Sequence, residues 1–113
     1  MACLNVLDRA TEKLLANSDR WADTSVLSRD LVDLAMMRLR GDLPAAAFDK
    51  TETAYPVLAP LQRSIEWFQR QPDYRDRGYE AWQIAAPDEI VAGLDRLAAD
   101  SGLAPTERTL REL

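Results

Sequence analysis

The sequence feature that most constrains the fold is a pair of amphipathic helical patterns near the start of the chain. Residues at three- and four-residue steps predict a first helix that begins between Val6 and Arg9 and ends near Asp19. A second pattern follows, with apolar positions at Leu27, Leu31, Leu34 and Ala35. The polar connection 19–25 is short enough to fold the two helices into an antiparallel hairpin. We therefore expect a helical protein built on an N-terminal hairpin.

The remainder of the sequence carries further helical patterns and no strand-like alternation. Three more helices are expected: residues 45–54, an apolar stripe from Val57 to Phe68, and a segment that Pro87 opens and Gly102 stops. Gly93, inside the last of these, costs about 1 kcal/mol relative to alanine in a helix. A glycine kept at such a position indicates the close approach of a neighbouring element.

The expected fold class follows from these patterns. It is all-α, a compact array of five or six helices that forms a single domain over residues 1–113. The hairpin occupies residues 1–41, and residues 42–113 supply accessory helices. Two segments are expected to be irregular: the polar stretch 71–78 as an ordered loop, and the charged residues 105–113 as a frayed terminus.

Composition excludes several kinds of active site. The chain has no histidine, which removes the commonest general base and metal ligand. Its single cysteine, Cys3, forms neither a disulfide nor a thiolate metal site within the chain. The net charge of -5 provides no basic patch of the size that drives nucleic-acid binding. Because no secretory signal or membrane-spanning stretch is recognisable, the chain is expected to be cytoplasmic.

Equal distances from the connecting loop bring two charges together in the expected hairpin. Lys13 and Asp33 each lie about seven residues from the loop, roughly 10 Å along their helices at 1.5 Å per residue. Helices that pack about 8–10 Å apart allow the ammonium to reach the carboxylate. Asp30 lies one turn nearer the loop on a neighbouring face, with Arg20 and Arg29 close by. The hairpin is therefore expected to carry a Lys/Asp/Asp cluster flanked by arginines.

The residues alone leave two interpretations of these charges open. An inter-helix salt bridge accounts for Lys13 and Asp33 without any further function. A carboxylate in an early turn of a helix accounts for Asp30, because the helix dipole favours negative charge there. The same residue types also suit phosphoryl chemistry, in which positive charge binds phosphates and oxygen ligands bind Mg²⁺.

Three short stretches resemble a known family. They are Glu-Lys-Leu-Leu-Ala at 12–16, Arg20 after a short gap, and Arg-Asp-Leu-Val-Asp-Leu at 29–34. Together they resemble the second half of the AbiEii/AbiGii-type nucleotidyltransferases, which include toxins of bacterial toxin–antitoxin and phage-defence systems. The resemblance covers about the first 40 residues, and the later helices are compatible with the family's helical C-terminal region.

The resemblance implies roles for five charged residues. In the family, the lysine of the first motif contacts nucleotide phosphates, which implies that role for Lys13. Arg20 and Arg29 lie beside it as the other expected nucleotide-binding residues. A downstream aspartate acts as the catalytic or metal-linked acid in the family, which implies either Asp33 or Asp30. The choice between these two aspartates stays open.

The sequence departs from the family in one large respect. The family's metal-binding strand motif, a Gly-Ser turn followed by paired aspartates, is absent. The resemblance therefore implies half of an active site, in which Mg²⁺ and a nucleoside triphosphate bind only if an upstream domain completes it. The expected function is the helical part of a nucleotidyltransferase-like protein of toxin type that is inactive alone. The alternative is a non-catalytic helical protein-interaction module.

The resemblance also predicts association. In the family the first hairpin packs against the strand domain, so this chain is expected to leave apolar surface uncovered. The candidate residues are Leu4, Leu7, Val26, Val32, Met36 and Leu39. Trp21 and Trp67 are of a residue type that is enriched in interfaces. The expected partners are a second copy of the chain in a two-fold dimer or an upstream nucleotidyltransferase domain, with no membrane partner and nothing that points to nucleic acid.

Overall fold

The computed structural model describes residues 6–41 and 43–113, which form six α-helices, two short 3-10 helices and no strand. The α-helices are α1 Val6–Arg20, α2 Arg29–Arg40, α3 Ala45–Ala54, α4 Leu58–Arg70, α5 Pro72–Ala81 and α6 Pro87–Asp100. The 3-10 helices are Thr24–Val26 and Leu110–Glu112. The expected all-α array of five or six helices is confirmed for the described residues.

Helix α2 lies at the centre of the core. Its most extensive neighbour is α6, while α1 packs against α2 and α3. Gly93 of α6 allows the two helices to approach closely. A Cβ atom built on it would lie 2.0 Å from the carbonyl oxygen of Ala35 in α2. The close approach that Gly93 predicts is therefore confirmed. The main helix pair of the fold is α2 with α6, and the hairpin arrangement of α1 and α2 stays a prediction.

Residues 72–81 form a helix, so the expectation of an ordered loop over 71–78 is wrong. Helix α5 has Pro72 and Asp73 in its first turn, an arrangement typical of a helix start. Its buried residues are Tyr74, Arg75, Gly78 and Tyr79. Because this buried face contains an arginine and aromatic residues in place of aliphatic ones, the apolar pattern that marks a helix is missing from the sequence.

The expectation of a frayed terminus over residues 105–113 is also wrong. Arg75 and Glu112 are each 1% exposed, and their side chains pair through two hydrogen bonds, Nε to Oε2 at 2.8 Å and Nη2 to Oε1 at 2.9 Å. The other guanidinium N–H groups donate to the carbonyl oxygens of Phe68, Gln69 and Glu107. Glu112 also accepts from Thr109 and from the hydroxyl of Tyr79. This buried pair ties the end of the described chain to α4 and α5.

The turn before α2 is held by contacts from α5. Leu27 and Ser28 both adopt the left-handed backbone region, with φ of 49° and 56°, which non-glycine residues seldom occupy. The Ser28 hydroxyl does not cap α2; it shares a hydrogen bond of 2.9 Å with the hydroxyl of Tyr74. The indole N–H of Trp82, just after α5, donates to the carbonyl oxygen of Leu27 at 3.4 Å. These contacts fix the direction in which α2 begins.

The apolar residues that the resemblance predicts to be uncovered are partly buried in the structure. Leu4, like Cys3, lies outside the described residues. Of the other candidates, Val32 is buried, and those that are partly buried are Leu7, Val26, Met36 and Leu39. Helix α3 packs on α1 and α6 packs on α2, so the expected face is only partly exposed. The exposed large hydrophobic residues are Tyr55, Leu58, Trp67, Leu110 and Leu113.

Across residues 6–41 and 43–113, no helix combines the length and the apolar character that crossing a membrane requires.

Candidate functional site

Four of the five predicted site residues meet in one ion-pair cluster between α1 and α2, which we call the Lys13 cluster. Lys13 Nζ lies 2.7 Å from Asp33 Oδ2 and 3.7 Å from Asp30 Oδ1. Arg20 Nη2 donates to both oxygens of Asp30, at 2.8 Å and 3.0 Å, and its Nε donates to Oδ2 at 3.2 Å. The predicted contact between Lys13 and Asp33 is confirmed.

The two carboxylates of the Lys13 cluster differ in their environment. The side chain of Asp30 is 5% exposed, and both of its oxygens are held by Arg20. The side chain of Asp33 is 37% exposed, and that of its partner Lys13 is 34% exposed. A buried carboxylate depends on its partners, whereas an exposed pair exchanges readily with water. Asp30 is therefore the structural anchor of the cluster, and Asp33 with Lys13 is the part that an external group can reach.

Arg29, the fifth predicted residue, is not part of the Lys13 cluster. Its guanidinium carbon lies 4.8 Å from the centre of the Trp82 ring, within the range of a cation–π contact. The two side chains line a cavity of about 420 Å³ that Asp33 and Glu89 also border. Asp33 is thus the one predicted residue that touches both the cluster and this cavity.

The Lys13 cluster does not fit a metal ion. Both oxygens of Asp30 accept hydrogen bonds from Arg20, and Asp33 Oδ2 is held by the ammonium of Lys13. Mg²⁺ takes several oxygen ligands, and two neighbouring cations oppose it. Across the described residues, no group of three histidine, cysteine, aspartate or glutamate side chains is placed to hold a metal ion.

A second candidate site, which we call the tryptophan groove, lies at the ends of α1 and α4. It has a volume of about 330 Å³ and is lined by Trp21, Arg63, Glu66, Trp67, Arg70 and Gln71. The sequence holds a signal for its α4 side, because residues 63, 67 and 70 follow the spacing of one helix face. Nothing in the sequence joins Trp21 to that face, since the two segments meet only through tertiary contacts.

Comparison with known protein families, with curated proteins and with solved structures found no match for this chain. Function is therefore argued below from the geometry of the Lys13 cluster and of the tryptophan groove.

Replacing Asp30 with asparagine is expected to lower the free energy of unfolding by about 2 kcal/mol, because Arg20 then loses its buried, charged acceptor. Asp33→Asn, the matched control, is expected to cost less than about 1 kcal/mol, because exposed ion pairs contribute little. Urea unfolding at pH 7, followed by circular dichroism, measures both. Equal losses for the two variants would contradict the assignment of Asp30 as the structural anchor.

Proposed function

We propose that this chain is the helical part of a nucleotidyltransferase-like protein, of the kind that includes toxins of bacterial toxin–antitoxin and phage-defence systems. The observation that supports the proposal is the 2.7 Å contact between Lys13 and Asp33. These residues come from two separate stretches of the family-like sequence, and they meet at a position that solvent reaches.

The proposed roles follow from exposure and pairing. Lys13 supplies the positive charge that a nucleotide phosphate requires, and Asp33 is the accessible acid beside it. Asp30 and Arg20 position this pair from beneath. Arg29 acts from the neighbouring cavity, which Asp33 also lines. Mg²⁺ and a nucleoside triphosphate bind only where an upstream domain supplies further oxygen ligands.

The chain alone is expected to transfer no nucleotide, because the carboxylates of the Lys13 cluster are held by cations. The test incubates the pure chain with labelled nucleoside triphosphates, Mg²⁺ and candidate protein and RNA acceptors. Transfer of label that Lys13→Ala abolishes would show that the site is complete within these 113 residues. Lys50→Ala is the matched control, because Lys50 is the other lysine of the chain and lies exposed on α3.

The second candidate function is a non-catalytic helical protein-interaction module. The observation that favours it is the tryptophan groove, which brings together two of the three tryptophans of the chain. Tryptophan and arginine are the residue types that most often dominate the binding energy of protein interfaces. A two-fold dimer is one form that such a module can take, and light scattering at micromolar concentration measures it.

The genomic sequence immediately upstream distinguishes the two candidates. An upstream open frame that encodes a Gly-Ser turn and paired aspartates would support the nucleotidyltransferase-like protein. Retained binding of a protein partner by a Lys13→Ala variant, together with loss of that binding in a Trp67→Ala variant, would support the interaction module.

A further inference from the structure

We infer that the tryptophan groove binds an acidic segment of a partner protein and that this segment inserts one apolar side chain between Trp21 and Trp67. The inference rests on the second candidate function and adds to it the chemistry of the partner. It is independent of nucleotidyl transfer, because the groove shares no residue with the Lys13 cluster.

The ring of Trp67 and the backbone of Trp21 are held in place before any partner binds. Trp67 is 41% exposed, yet its ring packs edge-on against Tyr74, with the ring centres 6.1 Å apart. Tyr74 is itself buried, and its hydroxyl shares a hydrogen bond with the hydroxyl of Ser28. The backbone N–H of Trp21 donates to the carbonyl oxygen of Asn17 at 2.8 Å and so continues the last turn of α1. The ring of Trp67, which packs on Tyr74, therefore loses little conformational entropy when it binds a partner.

The groove is positive on a chain that is negative overall. Two arginines and one glutamate line it, a net charge of +1, whereas the chain carries -5. Glu66 pairs with Arg70 at 3.3 Å, and the described part of the chain provides Arg63 with no carboxylate partner. Arg63 is therefore available to a carboxylate of a bound protein, and that pair gains strength as the tryptophan rings exclude water.

The size and charge of the groove favour an acidic protein segment over other occupants. A volume of about 330 Å³ lies at the lower limit of ligand pockets and suits one anchoring side chain. Nucleic acid binds most strongly to an extended basic surface, because its affinity grows with the number of phosphates that Lys and Arg neutralise. A two-fold dimer through the groove would place one positive surface against its own copy. An acidic segment that carries one apolar side chain packs that side chain against the tryptophan rings and offers a carboxylate to Arg63.

Selection from a random peptide library on the full chain tests the inference. We expect enrichment of sequences that flank a tryptophan, phenylalanine or leucine with aspartate and glutamate. For the best fluorescein-labelled peptide, fluorescence anisotropy is expected to show binding about 30-fold weaker in Trp67→Ala and at least about tenfold weaker in Arg63→Glu. Tyr55→Ala and Arg40→Glu are matched controls, because both side chains are exposed and lie outside the groove. Neither control is expected to change the affinity.

Other outcomes overturn the inference in distinguishable ways. Selection of basic or uncharged peptides whose binding depends on Trp67 would contradict the proposed acidic partner but would still support the interaction module. Failure to select any peptide whose binding depends on Trp67 or Arg63 would contradict both the acidic partner and the interaction module at the groove. Binding of an oligothymidylate that both variants abolish would assign the groove to nucleic acid. Because Trp67→Ala removes a contact with Tyr74, thermal unfolding accompanies each assay, and the exposed Arg63→Glu variant carries the test if Trp67→Ala does not fold.

Discussion

Replacing Glu112 with glutamine is expected to lower the free energy of unfolding by about 3–5 kcal/mol, because it leaves the guanidinium of Arg75 buried without its counter-charge. Glutamine keeps the shape of the side chain, so the loss reports the charge and not a cavity. Urea unfolding at pH 7, followed by tryptophan fluorescence, measures the difference. The effect is large because both partners are 1% exposed, and water cannot replace the missing carboxylate.

The neighbouring pair of Arg111 with Glu80 provides the matched control. Its two side chains are exposed, and Arg111 Nη1 lies 3.2 Å from Glu80 Oε1. Arg111→Gln is expected to change the free energy of unfolding by less than about 0.5 kcal/mol, as exposed pairs do. If Glu112→Gln were as stable as Arg111→Gln, the guanidinium of Arg75 would have to be reaching water.

Glu112 also makes the stability of the fold depend on pH. Burial by itself would raise the pKa of Glu112, but hydrogen bonds from Arg75, Thr109 and Tyr79 outweigh burial and lower the pKa from 4.5 to about 2. The unfolded chain therefore binds this proton at a higher pH than the folded chain does. The contribution of Glu112 is complete above pH 4.5 and is lost as the pH falls towards 2. The stability difference between wild type and Glu112→Gln should shrink across that range.

The buried pair also supports the tryptophan groove. Arg75 donates to the carbonyl oxygens of Phe68 and Gln69, which lie in the same turns of α4 as Trp67 and Arg70. Loss of Glu112 is therefore expected to weaken binding at the groove as well as the fold. The comparison with Arg63→Glu separates the two causes, because that substitution reverses a charge in the groove without touching the buried pair.

The sequence predicts the parts of this fold that repeating apolar patterns control. Helix α3 covers the expected residues 45–54, and α1 begins and ends within the expected limits. The predicted contact of Lys13 with Asp33 is present, but not for the predicted reason: α2 begins at Arg29, so Asp33 lies four residues from the start of its helix and Lys13 seven from the end of α1. Gly93 was informative for a different reason: a glycine costs helix stability, so its presence signals a close neighbour.

Sequence patterns fail where buried polar groups take the place of aliphatic ones. Arg75 and Glu112 are far apart in the chain. Charged residues are usually exposed unless they are paired, and the sequence does not show that these two are paired. Helix α5 and the ordered C-terminal segment were both missed because this partnership leaves no periodic signal. The tryptophan groove is hidden in the same way, since Trp21 and Trp67 lie on different helical segments. Arg29 lies near the cluster in sequence, but it contacts Trp82 instead.

Replacing Gly93 with alanine is expected to lower the free energy of unfolding by about 3 kcal/mol, although alanine is the better helix former. In an exposed helix this change would stabilise the protein by about 1 kcal/mol. Here the added Cβ would lie 2.0 Å from the carbonyl oxygen of Ala35 and 2.7 Å from its carbonyl carbon. Both atoms belong to the backbone of α2, so no side chain can rotate away, and the two helices must separate.

Gly41→Ala is the matched control for this prediction. A Cβ on Gly41 would meet nothing within 4 Å, and its φ of 172° is extended backbone that any residue adopts. Its stability is expected to stay within about 0.5 kcal/mol of wild type in the same urea unfolding experiment. Separation of α2 from α6 would also move Asp30 and Asp33, so amide exchange in α2 should quicken in Gly93→Ala alone. A Gly93→Ala variant as stable as Gly41→Ala would contradict the close approach of α2 and α6.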